Sequence, residues 1–276
     1  MLRRLSAKAA ALVLLVTVIA AAFPYALAPH DPFAQDLARR LRPPAILPRG
    51  LPGYWLGTDQ LGRDLLARII LGARVTLLIS LSAVAVGAVV GVLAGLAAGF
   101  RGGWLDGVVL RLIDVQLAFP LVLLVIAVVS VIGPSLPNLV LIMGISGWPR
   151  FARLVRGSVL TVRTLDYIEA AQSIGASSLR VILRHVLPNV LSAIIVYASF
   201  EVSRMILLEA TLSFLGLGVQ PPTPSWGGMI DDGRRYIGIT WSLSLSPGVA
   251  IAAVIFACNV LGDELRDALD PQVAQD

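Results

Sequence analysis

Charged residues are scarce in this chain of 276 residues. They make up 14% of the sequence, whereas 57% of the residues are hydrophobic, and a soluble domain carries roughly 25% charged residues. Several uncharged stretches are long enough to cross the hydrocarbon of a bilayer. The composition therefore excludes an ordinary water-soluble domain and predicts an integral membrane protein.

Lysine is almost absent, although the formal net charge is +5. Lys8 is the only lysine, and it lies between Ala7 and Ala9. A phosphate-binding P-loop needs a lysine that follows glycine and precedes serine or threonine, so the chain cannot supply a standard ATP site. The arginines lie between apolar blocks and form no stripe with aromatic residues, which argues against nucleic-acid binding.

Cysteine and histidine are also rare. Cys258 is the only cysteine, which excludes a disulfide within the chain and a thiolate metal site, and we expect it to be a small core residue. Ser146 lies in a GxSG match that resembles rhomboid-type intramembrane proteases. However, the two histidines, His30 and His185, lie outside the predicted spans, where neither can activate a serine in the bilayer. We therefore predict no catalytic residues.

The first predicted helix spans Ala9 to Leu27 and carries no charge. Basic residues before it, ending with Lys8, predict a cytoplasmic N-terminus. A signal peptide is the alternative, since an Ala-x-Ala pattern ends at Ala28, but Pro29 directly after it disfavours cleavage. Residues 1–28 are predicted to be a transmembrane anchor.

Residues 29–74 are predicted to form an extracytoplasmic loop, because four prolines oppose regular helix in its middle. These are Pro43, Pro44, Pro48 and Pro52. The end of the loop, from Asp64 to Arg74, mixes charged and apolar residues in a pattern typical of a short amphipathic helix at the membrane interface.

Residues 75–262 are predicted to form a core of five further helices. Their expected bounds are Val75 to Phe100, Gly107 to Ile132, a start at Leu139 with a break or bend at Gly144, Gly147 and Pro149, Val190 to Gly216, and an end near Gly262. Six crossings would place the tail, residues 263–276, in the cytoplasm with the N-terminus. The arginines that support this topology are Arg150, Arg153, Arg156 and Arg163.

Small residues recur on one side of the second predicted helix, at Gly87, Gly91, Gly95 and Gly99. Such a stripe allows another helix to approach closely. The other helix could belong to a partner protein or to this chain. Packing within the chain is the favoured interpretation, because these stripes are widespread among membrane proteins.

The polar segment 163–188 has helical periodicity on both sides of Gly175. Gly175 can end the first helix in a left-handed conformation. Ser177 or Ser178 can cap the second helix, and Pro188 is expected to mark a change of direction. A helix-turn-helix hairpin on the basic cytoplasmic face is suited to docking on another protein.

The hairpin carries a resemblance. EAA at Glu169 to Ala171, Gly175 four residues later, and Leu187 with Pro188 match the coupling loop of permease subunits in ATP-binding-cassette (ABC) importers. Four longer stretches are similar to the peptide-importer branch: LGTDQLGRD at Leu56 to Asp64, GASSLRVILRHVLPN at Gly175 to Asn189, EATLSFLGLGVQPPTPSWG at Glu209 to Gly227, and NVLGDELRDALDP at Asn259 to Pro271. The chain resembles the C-type permease of dipeptide and oligopeptide importers.

The resemblance implies an all-α integral membrane protein of the bacterial inner membrane, like type I ABC importers, with six transmembrane helices and a cytoplasmic coupling loop. It implies a heterodimer with a second, similar permease, two ATP-binding subunits and an extracytoplasmic solute-binding protein. ATP and magnesium would belong to the ATPase subunits, so this chain would need no cofactor. The expected ATPase-coupling residues are Glu169, Ala170, Ala171, Gly175, Ala176, Arg184, Leu187 and Pro188.

Three ionisable residues lie in the fifth predicted helix: Glu201, Arg204 and Glu209. Glu201 and Arg204 are three residues apart and can pair, and a structural ion pair is favoured over a role in substrate passage because a lone charge in hydrocarbon is costly. Such residues would also suit an ion-driven secondary transporter. The hairpin argues against that alternative, since an ion-driven carrier needs no ATPase dock.

The substrate is chosen by resemblance alone. Short peptides are expected, while nickel, glutathione or haem importers of the same architecture are the alternatives. Trp226, in the loop after the fifth helix, is expected to be an interfacial anchor or a contact for the solute-binding protein. His185 is expected to be a surface or docking residue.

Overall fold

The computed structural model describes residues 2–269, which are helical almost throughout. The helices are α1 (Leu2–Ala22), α2 (Pro24–Leu27), α3 (Leu65–Arg101), α4 (Gly103–Leu117), α5 (Leu121–Ile132), α6 (Leu136–Val162), α7 (Asp166–Ser173), α8 (Ser178–Val181), α9 (Leu187–Phe214), α10 (Trp226–Arg234) and α11 (Ser242–Leu269). A 3-10 turn covers Leu37–Arg39, and a π-helical turn covers Ile182–Val186. The predicted all-α class is confirmed. Predictions for residues 270–276, including half of the tail and Pro271, lie outside the described residues.

Four helical stretches within residues 2–269 are long and apolar enough to cross a membrane: α1, α3, the run from α8 through α9, and α11. Helices α4 and α5 would form a fifth span as a pair, but they meet at an angle of 85°. Helix α6 has 27 residues and carries three arginines in its second half. Of the six predicted crossings, four are such helices, one is the bent pair α4 and α5, and one is α6 with its arginines. The hydrocarbon of a bilayer contains no water that could hydrogen-bond to backbone N–H and C=O groups. A spanning helix forms these hydrogen bonds within itself.

The chain forms two compact units. Unit 1 contains residues 2–81, Val129–Leu139 and Val202–Leu261, and unit 2 contains Ser82–Val128, Val140–Glu201 and residues 262–269. In unit 1, a core cluster joins Leu77 of α3, Ile206 of α9, Trp226 of α10 and Val254 of α11. Cys258 belongs to the same cluster and is 8% exposed, which confirms the prediction of a small core residue.

In unit 2, helices α3 and α6 touch along the glycine stripe. A Cβ atom added at Gly91 would lie 2.5 Å from the Cβ of Phe151 and 2.5 Å from the carbonyl oxygen of Trp148. At Gly95 it would lie 2.6 Å from the carbonyl oxygen of Ala152. These distances leave no room for a side chain, so the stripe serves packing within the chain, as the favoured interpretation had it.

The predicted interfacial helix from Asp64 to Arg74 is wrong as a separate element. Helix α3 begins at Leu65 and runs without interruption to Arg101, so the second helix starts ten residues earlier than Val75. Arg68 lies in its first turns yet is 4% exposed, because its Nε atom lies 3.4 Å from the carboxylate of Asp59. A paired arginine can be buried where an unpaired one would stay at the surface.

The third predicted helix, Gly107 to Ile132, is instead the bent pair α4 and α5. The break covers residues 118–120, and its last residue is Pro120. Proline has no backbone N–H and disfavours helical conformation in the residue before it, here Phe119. These two effects explain why the apolar run does not continue as one helix.

The fourth predicted helix shows the opposite departure, because α6 continues through Pro149 without a break. Pro149 has no N–H to donate to the carbonyl of Ile145, four residues earlier. The side-chain amide of Gln116 donates to that carbonyl at 3.0 Å, and Gln116 in turn accepts from the indole N–H of Trp148 at 2.8 Å. A side chain from α4 thus replaces the hydrogen bond that the proline removes.

We predict that Gly91→Ala destabilises the protein by about 1–3 kcal/mol, the range for overpacking a close contact. The matched control is Gly157→Ala in α6, where an added Cβ meets nothing within 4 Å. This variant should unfold at the same temperature or slightly higher, since alanine favours helix over glycine by about 1 kcal/mol. Thermal unfolding of the detergent-solubilised variants measures both effects, and equal midpoints would contradict the packing account.

Candidate functional site

The predicted hairpin is present between α6 and α9. Helix α7 ends at Ser173, Gly175 has a φ of +86°, and α8 begins at Ser178. The N–H of Ala176 donates to the carbonyl of Ala171, and that of Gly175 to the carbonyl of Gln172, at 3.1 and 3.0 Å. This pair of bonds is a Schellman motif, which satisfies the last carbonyls of α7. The spacing from Ala171 to Gly175 is therefore set by the turn.

Gly175 is required here for its backbone and not for space. A Cβ atom added at this position meets nothing within 4 Å, yet a φ of +86° is rarely adopted by residues with a side chain. Ser177 occupies the N-cap position of α8, as predicted, but its hydroxyl makes no capping hydrogen bond. The left-handed glycine is thus the feature that shapes the turn.

Apolar side chains of the hairpin divide into a buried and an exposed set. Ile168 and Val186 are fully buried. In contrast, Ile174, Leu179 and Leu183 are 87%, 66% and 56% exposed. Exposed large apolar side chains on a polar segment are the composition expected of an interaction surface. We call these three residues the hairpin apolar surface.

One ring contact and one side-chain hydrogen bond tie the hairpin together. The ring centroids of Tyr167 and His185 lie 6.3 Å apart in an edge-on arrangement, which links α7 to the π-helical turn. The side-chain amide of Asn189 donates to the carbonyl of His185 at 2.6 Å. His185 is half-buried, and its role as a surface or docking residue stays a prediction.

Pro188 does not separate the second helix of the hairpin from the fifth predicted helix. Helical backbone runs from Ser178 to Phe214, so the fifth helix does not begin at Val190. Directly before the proline, the N–H of Leu187 donates to the carbonyl of Ile182, five residues earlier. A bond over five residues is typical of a π-helical turn, which holds one residue more than an α-helical turn. It lies directly before Pro188, which has no N–H to donate.

The structure leaves the predicted coupling residues mostly accessible. The exposed ones are Glu169, Ala170, Gly175, Arg184 and Pro188, and the half-buried ones are Ala171, Ala176 and Leu187. All eight lie on the hairpin or at the start of α9, within unit 2. The fold therefore brings them together on one short segment, and their role in coupling stays a prediction.

Next to the hairpin in the sequence, the arginines of α6 pair with aspartates of α4. Arg156 donates to both carboxylate oxygens of Asp106, at 2.5 and 2.7 Å, and Arg153 donates to Asp114 at 2.8 Å. Arg163 donates to the carbonyl of Gly99 at 3.0 Å. These arginines hold three helices together in addition to the topological role that the sequence predicts.

The ionisable residues of α9 lie in buried or half-buried positions. Glu201 is 2% exposed and accepts a hydrogen bond from the hydroxyl of Tyr197 at 3.2 Å. Glu209 is 1% exposed and accepts from Ser213 at 2.7 Å, and Ser213 lies 3.3 Å from the hydroxyl of Ser225. The pairing of Glu201 with Arg204 stays a prediction.

The stretch LGTDQLGRD forms a buried ion cluster that the sequence analysis missed. Asp59 accepts from Arg63 Nε at 2.6 Å and lies 3.4 Å from Arg68 Nε, and all three side chains are 4–5% exposed. We call these residues the Asp59 cluster. Asp64 caps α3 by accepting from Leu66 N–H at 3.0 Å and also binds His30 Nδ1 at 2.7 Å. The alternation of Asp and Arg four residues apart was the available signal.

Trp226 is neither an interfacial anchor nor an exposed contact, so both interpretations of it are wrong. It is 2% exposed. Its indole N–H donates to the carbonyl of Ile69 at 3.0 Å, and its backbone N–H donates to Thr76 Oγ1 at 3.3 Å. The tryptophan binds α10 to α3 because both of its donors find partners inside the protein.

Apolar spans joined to an exposed polar hairpin are the architecture of a membrane protein with a segment outside the bilayer. Residues 91–275 match the family described as binding-protein-dependent transport system inner membrane component. The chain belongs to this family, the permease subunits of ABC importers.

Two known permeases are similar to this chain over nearly its whole length. It is 42% identical over 272 residues to the glutathione transport system permease protein GsiD of Shigella dysenteriae serotype 1, covering 98% of this chain and 88% of that protein. It is 41% identical over the same shares to GsiD of Escherichia coli O6:K15:H31. An inward-facing structure of the MetNI methionine ABC transporter covers 75% of this chain with a TM-score of 0.60 and 20% identity. That likeness shows the permease fold.

We predict that Asp59→Asn destabilises the protein by about 3–5 kcal/mol, because it leaves two buried guanidinium groups without their shared carboxylate. The control is Asp114→Asn, which removes an exposed carboxylate paired with Arg153, with side chains 64% and 53% exposed. An exposed pair contributes about 1 kcal/mol or less. A smaller loss for Asp59→Asn than for the control, in thermal unfolding of the purified variants, would contradict this prediction.

Proposed function

We propose that this chain forms half of a translocation pathway in the bacterial inner membrane, beside a second and similar permease. Two ATP-binding subunits would bind the hairpin on the cytoplasmic side, and a solute-binding protein would deliver the substrate on the other. The observation that carries the proposal is the hairpin apolar surface on a segment continuous with a spanning helix. Both termini would then lie in the cytoplasm.

The continuity of the hairpin with α9 gives the coupling a physical route. A partner that moves α7 and α8 moves Ser178 to Phe214 with them, because helical backbone joins these residues without a loop. The Schellman turn at Gly175 fixes α7 against α8. ATP-driven opening and closing of the partner subunits would therefore change the position of a helix in the membrane.

Glutathione is the proposed substrate, with short peptides of similar size as the next choice. Both relatives that resemble this chain most fully among those described above carry the name of a glutathione transport system. Glutathione is itself a tripeptide, so it satisfies the resemblance to peptide importers as well. Nickel and haem are chemically less similar to glutathione than a short peptide is.

The two other classes of function have weaker support. An ion-driven carrier would not need the hairpin apolar surface. The alternative of a rhomboid-type protease requires Ser146 to act as the nucleophile. Its hydroxyl instead donates to the carbonyl of Met143 at 2.6 Å within its own helix. A serine nucleophile instead needs a base that accepts its proton.

Co-purification from native membranes tests the assembly. The tagged chain is solubilised in mild detergent, and its companions are identified by mass spectrometry. A second permease and ATP-binding subunits are expected. Uptake of radiolabelled glutathione and dialanine into vesicles that contain the complex and the solute-binding protein then tests the substrate. Recovery of the chain alone, or uptake that needs an ion gradient and no ATP, would overturn the proposal.

We predict that Gly175→Pro abolishes uptake and leaves membrane insertion intact. Proline fixes φ near −65°, whereas this position has +86°. Gly175→Asn is the matched control, because asparagine tolerates the left-handed region better than other residues with a side chain and the site has room for it. The asparagine variant should keep most of the uptake. Normal uptake by a correctly inserted Gly175→Pro variant would remove support for the coupling role.

A further inference from the structure

A polar pocket of about 250 Å³ lies within unit 1. Its walls come from the start of α3 with the preceding LGTDQLGRD stretch, from the segment between α9 and α10, and from α10 itself. The sequence predicts that these segments face the extracytoplasmic side. The coupling hairpin is in the other unit, so the proposed function gives this pocket no role.

Charges of both signs line the pocket. Arg63 and Arg68 share the single carboxylate of Asp59. Asp232 of α10 also lines the pocket, together with Gln60. Burial raises the pKa of the Asp232 carboxyl, while its hydrogen bond with Gln60 and the charge of the two arginines act in the opposite direction. Asp232 is therefore a half-buried acid whose charge is incompletely compensated.

One acceptor in the pocket wall lacks a donor. The side-chain oxygen of Gln60 is buried and has no hydrogen-bond partner among the described residues. A buried polar atom without a partner costs free energy that a ligand can recover. The same Gln60 side chain is hydrogen-bonded to the Asp232 carboxyl, so a donor group placed at the amide oxygen would also lie near that carboxyl group.

We infer that this pocket binds a small zwitterionic solute through its ammonium and carboxylate groups. The ammonium would lie against Gln60 Oε1 and the Asp232 carboxyl. The carboxylate would lie against the guanidinium groups of Arg63 and Arg68, which favour planar anions. The choice of a peptide as the zwitterion rests on the proposed function, whereas the charge pattern stands independently of it.

The balance of charge favours a solute that carries both signs. The Asp59 cluster carries two positive charges and one negative charge, and Asp232 adds a second acid. Asp231 also lines the pocket, but its carboxylate is paired with Arg234 Nε at 2.8 Å. A lone anion would gain from the arginines but meet the Asp232 carboxyl, and a lone cation would meet the arginines. A solute with both charges at its ends satisfies the two sides of the pocket at once.

Equilibrium binding to the purified importer complex in lipid nanodiscs, without the solute-binding protein, tests the inference. The probes are radiolabelled dialanine, N-acetyl-dialanine, which lacks the ammonium, and dialanine amide, which lacks the carboxylate. Dialanine should bind about tenfold or more tightly than either derivative, the effect of losing one charged hydrogen bond. Equal binding of all three, or binding only when the solute-binding protein is added, would overturn the inference.

Variants locate the site. Asp232→Asn and Gln60→Met should each weaken dialanine binding about tenfold and leave the weak binding of N-acetyl-dialanine unchanged. The control is Asp36→Asn, which removes an acid of the same predicted face that does not line this pocket. Unfolding temperatures of all variants identify any that fail to fold, and two separate pocket variants keep the test decisive.

The outcome is separable from that of the proposed function. ATP-dependent uptake by the same preparations, with the solute-binding protein present, is measured in parallel. Uptake without an effect of either pocket variant on dialanine binding would overturn the pocket and leave the importer standing. Absence of ATP-dependent uptake by the wild-type complex would overturn the importer, whatever the binding result.

Discussion

Helices α3 and α6 approach until their backbones are in contact, and much of unit 2 depends on that approach. At Gly91 and Gly95 the space that a side chain would fill is occupied by the carbonyl groups and Cβ atoms of α6. In a bilayer, where the lipid is as apolar as the side chains, close van der Waals packing is a main source of helix association. The contact also sets the position of the α6 arginines relative to α4, so that Arg156 reaches Asp106 with two hydrogen bonds.

Polar groups that burial would penalise find partners at several points in the fold. Gln116 satisfies the carbonyl that Pro149 leaves free, Asp59 neutralises two buried arginines, and Trp226 places both of its N–H groups on acceptors of α3. Apart from the pair Arg63 and Asp59, which are four residues apart, each partner comes from another segment of the chain. Since an unsatisfied polar group in an apolar medium costs several kcal/mol, these few contacts constrain which helices can be neighbours.

Local signals in the sequence were sufficient for the helical class and for the hairpin, because a left-handed glycine and a 3.6-residue period act within a few residues. Two errors arose where another segment of the chain changed the local outcome. Arg68 resembles a surface charge until Asp59 is known to lie beside it, and Pro149 resembles a helix breaker until Gln116 supplies the missing donor. The pocket beside the Asp59 cluster also requires α10, more than 150 residues away, which no pattern within the LGTDQLGRD stretch can reveal.

The π-helical turn at Ile182–Val186 sets the angle by which the hairpin is rotated about the helix axis relative to α9. Each residue of an α-helix advances the chain by about 100° around the axis, so the one extra residue in this turn determines which direction α7 faces. Loss of a single residue there would restore an ordinary helix and rotate the hairpin apolar surface by about 100° relative to the spanning helix. The length of this segment is therefore as strongly constrained as its composition, and an insertion or deletion would turn the hairpin apolar surface in another direction without unfolding either helix.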